Sequence, residues 1–166
     1  MENVDALVNR LASLAVDCSH IIATAESCTG GLIAGAFTEV SGSSVWFDRG
    51  FVTYSNNAKQ QMLGVASQTL LRDGAVSEAT VLEMAKGAIR HSDANLAVSV
   101  SGVAGPTGGS DEKPVGTVWI ACASAEASGV AEHHRFAGDR HEIRTQAVDS
   151  AIRLLIQCIE SDANSR

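Results

Sequence analysis

Aromatic residues are scarce in this 166-residue chain: two Trp, one Tyr and four Phe make up 4% of it. So few flat side chains offer no stacking platform for single-stranded nucleic acid. Positive charge is also in deficit, with 12 Lys plus Arg against 19 Asp plus Glu and a net charge of −7. That balance disfavours a phosphate backbone as ligand, a local basic pocket aside, so no nucleic-acid partner is expected. No apolar run approaches the ~20 residues of a membrane span, and no membrane partner is expected. The first residues, Met1-Glu2-Asn3-Val4-Asp5, are acidic and show no secretory pattern. The expectation is a cytoplasmic protein. The four cysteines, Cys18, Cys28, Cys122 and Cys158, form no C-x-x-C pair. Zinc-site and thioredoxin-like readings therefore have no support. Cys18, Cys122 and Cys158 read as small core hydrophobes.

What is present is a chain with 45% hydrophobic and 19% charged residues, too apolar for intrinsic disorder. Its length suits one domain spanning residues 1–166, which should bury roughly 70% of its unfolded surface. Residues 1–3 and 161–166 are expected to fray. Val4, Leu7, Val8, Leu11, Leu14 and Ala15 have helical spacing over residues 4–16. Residues 21–25 read as a buried strand, and residues 32–40 resume a helical pattern. Residues 45–54 read as a strand broken at Asp48-Arg49. Asn56 suits a cap for a short helix over 58–63, and Ser77 suits one for residues 78–91. Strands are expected over 96–100, 115–123 and 129–136. A last helix starts near Asp139, with Ile143, Ala147, Ala151, Leu154, Leu155 and Cys158 on its apolar face. That order predicts a three-layer α/β/α sandwich around a mixed, mostly parallel sheet.

Two polar, Gly-rich loops follow buried strands, at residues 26–31 and 101–110. In open α/β sheets ligands bind at that edge. Glycine lets the backbone approach a ligand, and a helix N-terminus favours an anion. Known loop patterns are absent from the spelling: no G-x-x-x-x-G-K-[ST], no G-x-G-x-x-G after a strand and no G-x-S-x-G. His141-Glu142 lacks the partner His, because position 145 is Thr. His133 and His134 are adjacent, so on a strand they face opposite ways and do not share a metal. No metal and no cofactor are expected. A nucleophile is sought among Ser27, Cys28 and Thr29. Its base is sought among His20, His91, His141 and Lys59, a hydroxyl needing such a partner at neutral pH.

Five blocks carry a resemblance to a known family. They are Thr24-Ala25-Glu26-Ser27-Cys28-Thr29-Gly30-Gly31, Gly50-Phe51-Val52-Thr53-Tyr54-Ser55-Asn56 with Lys59, and Gly74-Ala75-Val76-Ser77-Glu78. Ser101-Gly102-Val103-Ala104-Gly105-Pro106-Thr107-Gly108-Gly109 and Lys113-Pro114-Val115-Gly116-Thr117-Val118-Trp119 complete them. In this order they resemble the CinA C-terminal-domain family, over about residues 20–155. Its stand-alone bacterial members are nicotinamide-nucleotide amidohydrolases. The resemblance implies hydrolysis of nicotinamide mononucleotide to nicotinic acid mononucleotide and ammonia, in pyridine-nucleotide (NAD) recycling. It also implies a homo-oligomer without a cofactor. Similar enzymes use a Ser/Lys dyad. The matching positions are Ser27 as nucleophile and Lys59 as base, with Tyr54 close by and its hydroxyl a possible aid to the proton transfer.

On that reading, backbone N–H groups around Thr29, Gly30 and Gly31 would hold the oxyanion. Ser101, Gly102, Gly105 and Arg140 would bind the ribose phosphate. Arg140 also reads as a plain helix-start charge. Glu26 reads either as an orienting group for Lys59 or a ribose hydroxyl, or as a structural carboxylate. Two rivals stand beside this reading: a Cys28-dependent amidase, and a nucleotide-binding regulatory domain without catalysis.

Overall fold

The computed structural model describes residues 2–166. The elements follow as α1 (Val4–Asp17), β1 (Ile22–Glu26), α2 (Leu32–Thr38), a 3-10 turn (Ser43–Val45) and β2 (Phe47–Val52). Next come α3 (Asn56–Leu63), α4 (Ser67–Asp73), α5 (Glu78–Arg90) and β3 (Leu96–Gly102). The chain closes with β4 (Thr117–Ser124), β5 (Val130–Arg135) and α6 (Arg140–Asn164). The strands form one sheet in the order β2-β1-β3-β4-β5. Helices α1, α2 and α6 cover one face, and α3, α4 and α5 the other, which is the expected three-layer sandwich. The sheet is mixed, as expected. β1 pairs in parallel with β2 and β3, whereas β3–β4 and β4–β5 are antiparallel. Four of the five strands share a direction, and the pairings divide evenly between parallel and antiparallel.

The two faces of the sheet differ in side-chain size. Ile22, Leu96, Val98, Val100, Val118 and Ile120 point towards α1 and α6. Ala23, Ala25, Ala97, Ala121 and Ala123 point towards α5, whose Val81, Met84, Ala85 and Ala88 press onto them. All five residues of β1 are buried because both its faces are covered. Side chains alternate with period two along a strand. Extended past its end, β1 therefore sends Glu26 to the α2 face and Ser27 to the α3 face, and this alternation governs the site.

Several boundaries differ from the sequence reading. β2 is one edge strand from Phe47 to Val52, and the break expected at Asp48-Arg49 takes the form of a bulge, Phe47 pairing with Ile22 and Arg49 with Ala23 so that Asp48 is the extra residue. There Asp48 accepts from Arg49 Nε at 2.7 Å and from the Asp93 N–H at 3.0 Å. Thr53 and Tyr54 lie beyond the strand. Ser55, rather than Asn56, caps α3 by accepting from the Ala58 N–H at 3.0 Å. The short α4 was not expected, since no side chain caps it. β4 starts at Thr117, after Gly116 turns the chain with φ +95°. The termini are more regular than expected. Asn3 caps α1 through the Ala6 N–H, and α6 stays helical to Asn164. Met1 lies outside the described residues. No helix among the described residues is long and apolar enough to cross a membrane.

Candidate active site

β1, β2 and β3 run in parallel, so the segments after them meet at one sheet edge. There Lys59 Nζ lies 3.0 Å from Ser27 Oγ. Lys59 comes from the second turn of α3 and is only 1% exposed. Its Nζ also donates to the carbonyl oxygens of Thr53 at 2.8 Å and Tyr54 at 3.2 Å. The ammonium thus has three acceptors for three protons. In the neutral amine, the two carbonyls hold both N–H donors and the lone pair faces Ser27. Burial lowers the Lys59 pKa from 10.5 to about 8, since a charged amine loses hydration there. A buried lysine of this kind is a base near neutral pH.

Cys28, next in the chain, belongs to the opposite core. Burial pushes its thiol up to about 11. A thiol so protonated is a poor nucleophile. The histidines are elsewhere. His20 contacts Asn95 Oδ1 at 3.2 Å, His91 contacts the Gly87 carbonyl at 2.8 Å, and His141 is exposed on α6.

Glu26 settles as a structural carboxylate. It is fully buried and accepts from Thr29 Oγ1 at 2.7 Å, the Ile33 N–H at 2.9 Å and the Ala34 N–H at 3.1 Å. These bonds take up the orphan donors at the start of α2. Alternation puts Glu26 on the face away from Lys59, so it does not orient that amine. The Thr29 hydroxyl is spent on Glu26. Gly30 and Gly31 have φ of +59° and +102°, the left-handed region that glycine adopts without strain. The Ser27 N–H donates to the Val100 carbonyl and the Gly30 N–H to the Ser27 carbonyl. The N–H groups of Cys28, Thr29 and Gly31 make no hydrogen bond among the described residues.

A cavity of about 230 Å³ opens onto the Ser27–Lys59 pair. Cys28, Tyr54, Ala75, Val76, Ser101, Gly102 and Ala104 complete its lining. Ser101 shares the face of Ser27 and is 1% exposed. Gly102 is required by packing, because a Cβ there would meet Val118 Cγ2 at 2.6 Å. Gly105, with φ +78°, has the same constraint against Val115 Cγ1 at 2.5 Å. Arg140 begins α6 and bridges two other candidates. Its Nη1 donates to the Gly105 carbonyl at 2.7 Å and its Nη2 to Tyr54 Oη at 3.2 Å. Tyr54 is 62% exposed. It meets the Ser27–Lys59 pair through its carbonyl, while its hydroxyl is on Arg140 instead of Ser27. A larger cavity, about 490 Å³, lies between β4 and the C-terminal half of α6 and holds none of these residues.

Arg144 was missed by the sequence reading. Its Nε donates to the Cys28 carbonyl at 3.0 Å and its Nη2 to the Thr29 carbonyl at 3.3 Å. The available signal was its position one helical turn after Arg140, hence on the same face of α6. Ala75 and Val76, within the third of the five blocks, also line the cavity.

Residues 4–159 match the CinA C-terminal domain. The nicotinamide-nucleotide amidohydrolase PncC of Escherichia coli K12 is 56% identical over 136 residues, covering 82% of each chain. The enzyme of that name from Pseudomonas putida is 48% identical over 158 residues, covering 95% of this chain and 98% of its own. The crystal structure of the competence/damage inducible protein CihA from Agrobacterium tumefaciens superposes with a TM-score of 0.90 at 48% identity. That match covers 93% of this chain and 94% of the other. On these matches, and on a fold shared almost end to end, the chain belongs to the CinA C-terminal-domain family.

Proposed function

We propose that this protein hydrolyses the carboxamide of nicotinamide mononucleotide to nicotinic acid mononucleotide and ammonia, with Ser27 as nucleophile and Lys59 as base. The carrying observation is the anchoring of Lys59 Nζ on two carbonyls, which leaves its third direction to Ser27 Oγ. Neutral Lys59 takes the Ser27 proton as Oγ bonds to the carboxamide carbon. The unspent N–H groups of Cys28 and Thr29 are donors for the oxyanion, a contact worth ~2.7–4 kcal/mol where one is lost. Lys59 then returns the proton to nitrogen, the C–N bond breaks and ammonia leaves. Water, deprotonated by the same amine, adds to the acyl carbon; the Oγ–C bond breaks, the proton passes from Lys59 to Ser27 Oγ, and the acid is freed. The cavity suits a flat heteroaromatic amide against Ala75, Val76 and Ala104. Arg140, bonded through Nη2 to Tyr54 of that lining, suits the phosphate, which would take over a guanidinium edge now held by Tyr54 and Gly105. The names of the two PncC relatives support the substrate. The setting we infer is pyridine-nucleotide recycling in the cytoplasm. A homo-oligomer fits Leu71 and Val45, 86% and 63% exposed.

The test is ammonia release from nicotinamide mononucleotide by purified protein with a chelator present, and Ser27→Ala as control. Release by the wild type alone supports the reading. No release from folded wild type, or equal release from Ser27→Ala, overturns it.

A further inference from the structure

We infer that Arg144 is a positioning residue that fixes the peptide planes of the nucleophile turn and thereby aims the Thr29 N–H at the oxyanion. The inference rests on the amidohydrolase reading above. One edge of the guanidinium, Nε and Nη2, spans two consecutive carbonyls, those of Cys28 and Thr29. In a trans peptide the C=O and the N–H of one plane point in opposite directions. The Cys28 carbonyl shares its plane with the Thr29 N–H. Drawing that carbonyl towards α6 turns the Thr29 N–H away from α6, to the side where Ser27 stands. That N–H has no acceptor among the described residues. The Thr29 carbonyl shares its plane with the Gly30 N–H, which closes the turn onto the Ser27 carbonyl at 3.1 Å. Glu26 holds the start of α2, where the turn ends. The turn is thus clamped at both ends, and its free donor is pre-aimed.

Three observations set Arg144 apart from a substrate ligand or a plain surface charge. It is not among the residues lining the cavity. Its Nε–Nη2 edge is held by two main-chain carbonyls of the turn, whereas Arg140 shares its guanidinium between one carbonyl and the exposed Tyr54 hydroxyl. Its Nη2 lies 3.5 Å from where a Cβ on Gly30 would stand, placing it against the turn itself. Guanidinium is charged at every working pH, so a fixed positive charge sits behind these peptides and polarises their N–H groups. A lysine supplies one point charge and no fork.

Arg144→Ala and Arg144→Lys are compared with wild type in ammonia release from nicotinamide mononucleotide. The Ala variant should lose about 10²-fold in kcat, with KM held within about twofold. Guanidinium ion at a non-denaturing concentration should restore at least about tenfold to Arg144→Ala and nothing to wild type. The Lys variant should stay closer to Ala than to wild type. A raised KM at unchanged kcat would place Arg144 on the substrate and overturn the inference, as would an unchanged kcat.

Amide ¹H–¹⁵N spectra give a readout that needs no turnover. Shifts in Arg144→Ala should concentrate on residues 27–31. Unmoved Thr29 and Gly30 signals, or shifts spread through the core, overturn the inference. If wild type releases no ammonia, the amidohydrolase reading fails, and these spectra still decide whether Arg144 sets the turn. If Arg144→Ala does not fold, Arg144→Lys carries the same measurements.

Discussion

On the proposed mechanism, the lowered pKa of Lys59 sets the pH dependence of ammonia release. A base acts only when unprotonated, and at a pKa of about 8 the neutral fraction is about a tenth at pH 7 and about nine-tenths at pH 9. kcat/KM, which reports the free enzyme, should rise about tenfold over that interval and level off above it. Lys59→Met keeps the length of the side chain and removes the amine. It should cost between about 10² and 10⁴ in kcat/KM and abolish the pH rise. Stability gives an independent check. Below pH 8 the amine is protonated in both folded and unfolded chains, and above 10.5 in neither. Between those values the unfolded chain binds more protons, so stability rises with pH, by up to about 1.4 kcal/mol per unit. It falls back as pH drops towards 8. Lys59 is 1% exposed, so solvent screens little of this effect. The difference in urea-unfolding free energy between wild type and Lys59→Met should grow by roughly 3 kcal/mol from pH 8 to 10.5, since other groups titrate alike in both. A rate profile flat from pH 6.5 to 9.5, or Lys59→Met within tenfold of wild type, would refute the assignment.

Cys28→Ala should keep activity within about threefold while Ser27→Ala loses it, because the thiol is held protonated by burial; the reverse pattern in ammonia release would restore the thiol amidase. Glu26→Gln should lower stability by about 2 kcal/mol in chemical denaturation, since the neutral amide sets an NH₂ group against the backbone donors that the carboxylate now accepts. An unchanged midpoint would contradict the capping role. Gly87→Ala lies inside α5, where alanine ordinarily stabilises a helix. Here a Cβ would meet the Leu63 carbonyl oxygen at 2.0 Å, so a loss of about 1–3 kcal/mol and a lower kcat are expected, α3 carrying Lys59. A rise in melting temperature would show that α3 yields freely.

Much of the fold was legible because its causes are local. Ser77 and Asp139 mark the starts of α5 and α6 with side-chain caps, and Asp139 forms a reciprocal box with Glu142. The buried run of β1, ending in a polar cluster, announces a strand leading to a ligand edge. The short α4 was not legible, having no cap and too few turns for a periodic signal. Period two along β1 also places Glu26 and Ser27 on opposite faces once the strand is known. That relation decides against Glu26 as an orienting group for Lys59.

The sequence by itself determined the layered α/β class, the nucleophile loop and the candidate residues, since periodicity, caps and block order are written along the chain. Only the tertiary structure decided which of them meet. Lys59 stands 32 residues from Ser27 and reads as a solvated helix charge until α3 packs against the sheet edge and strips its water. Arg144 is 116 residues from Cys28 and reaches its carbonyl only because the start of α6 lies beside the turn that follows β1. Desolvation and hydrogen-bond geometry are properties of spatial neighbours, and those neighbours exist only once the sheet and its two helical layers have closed.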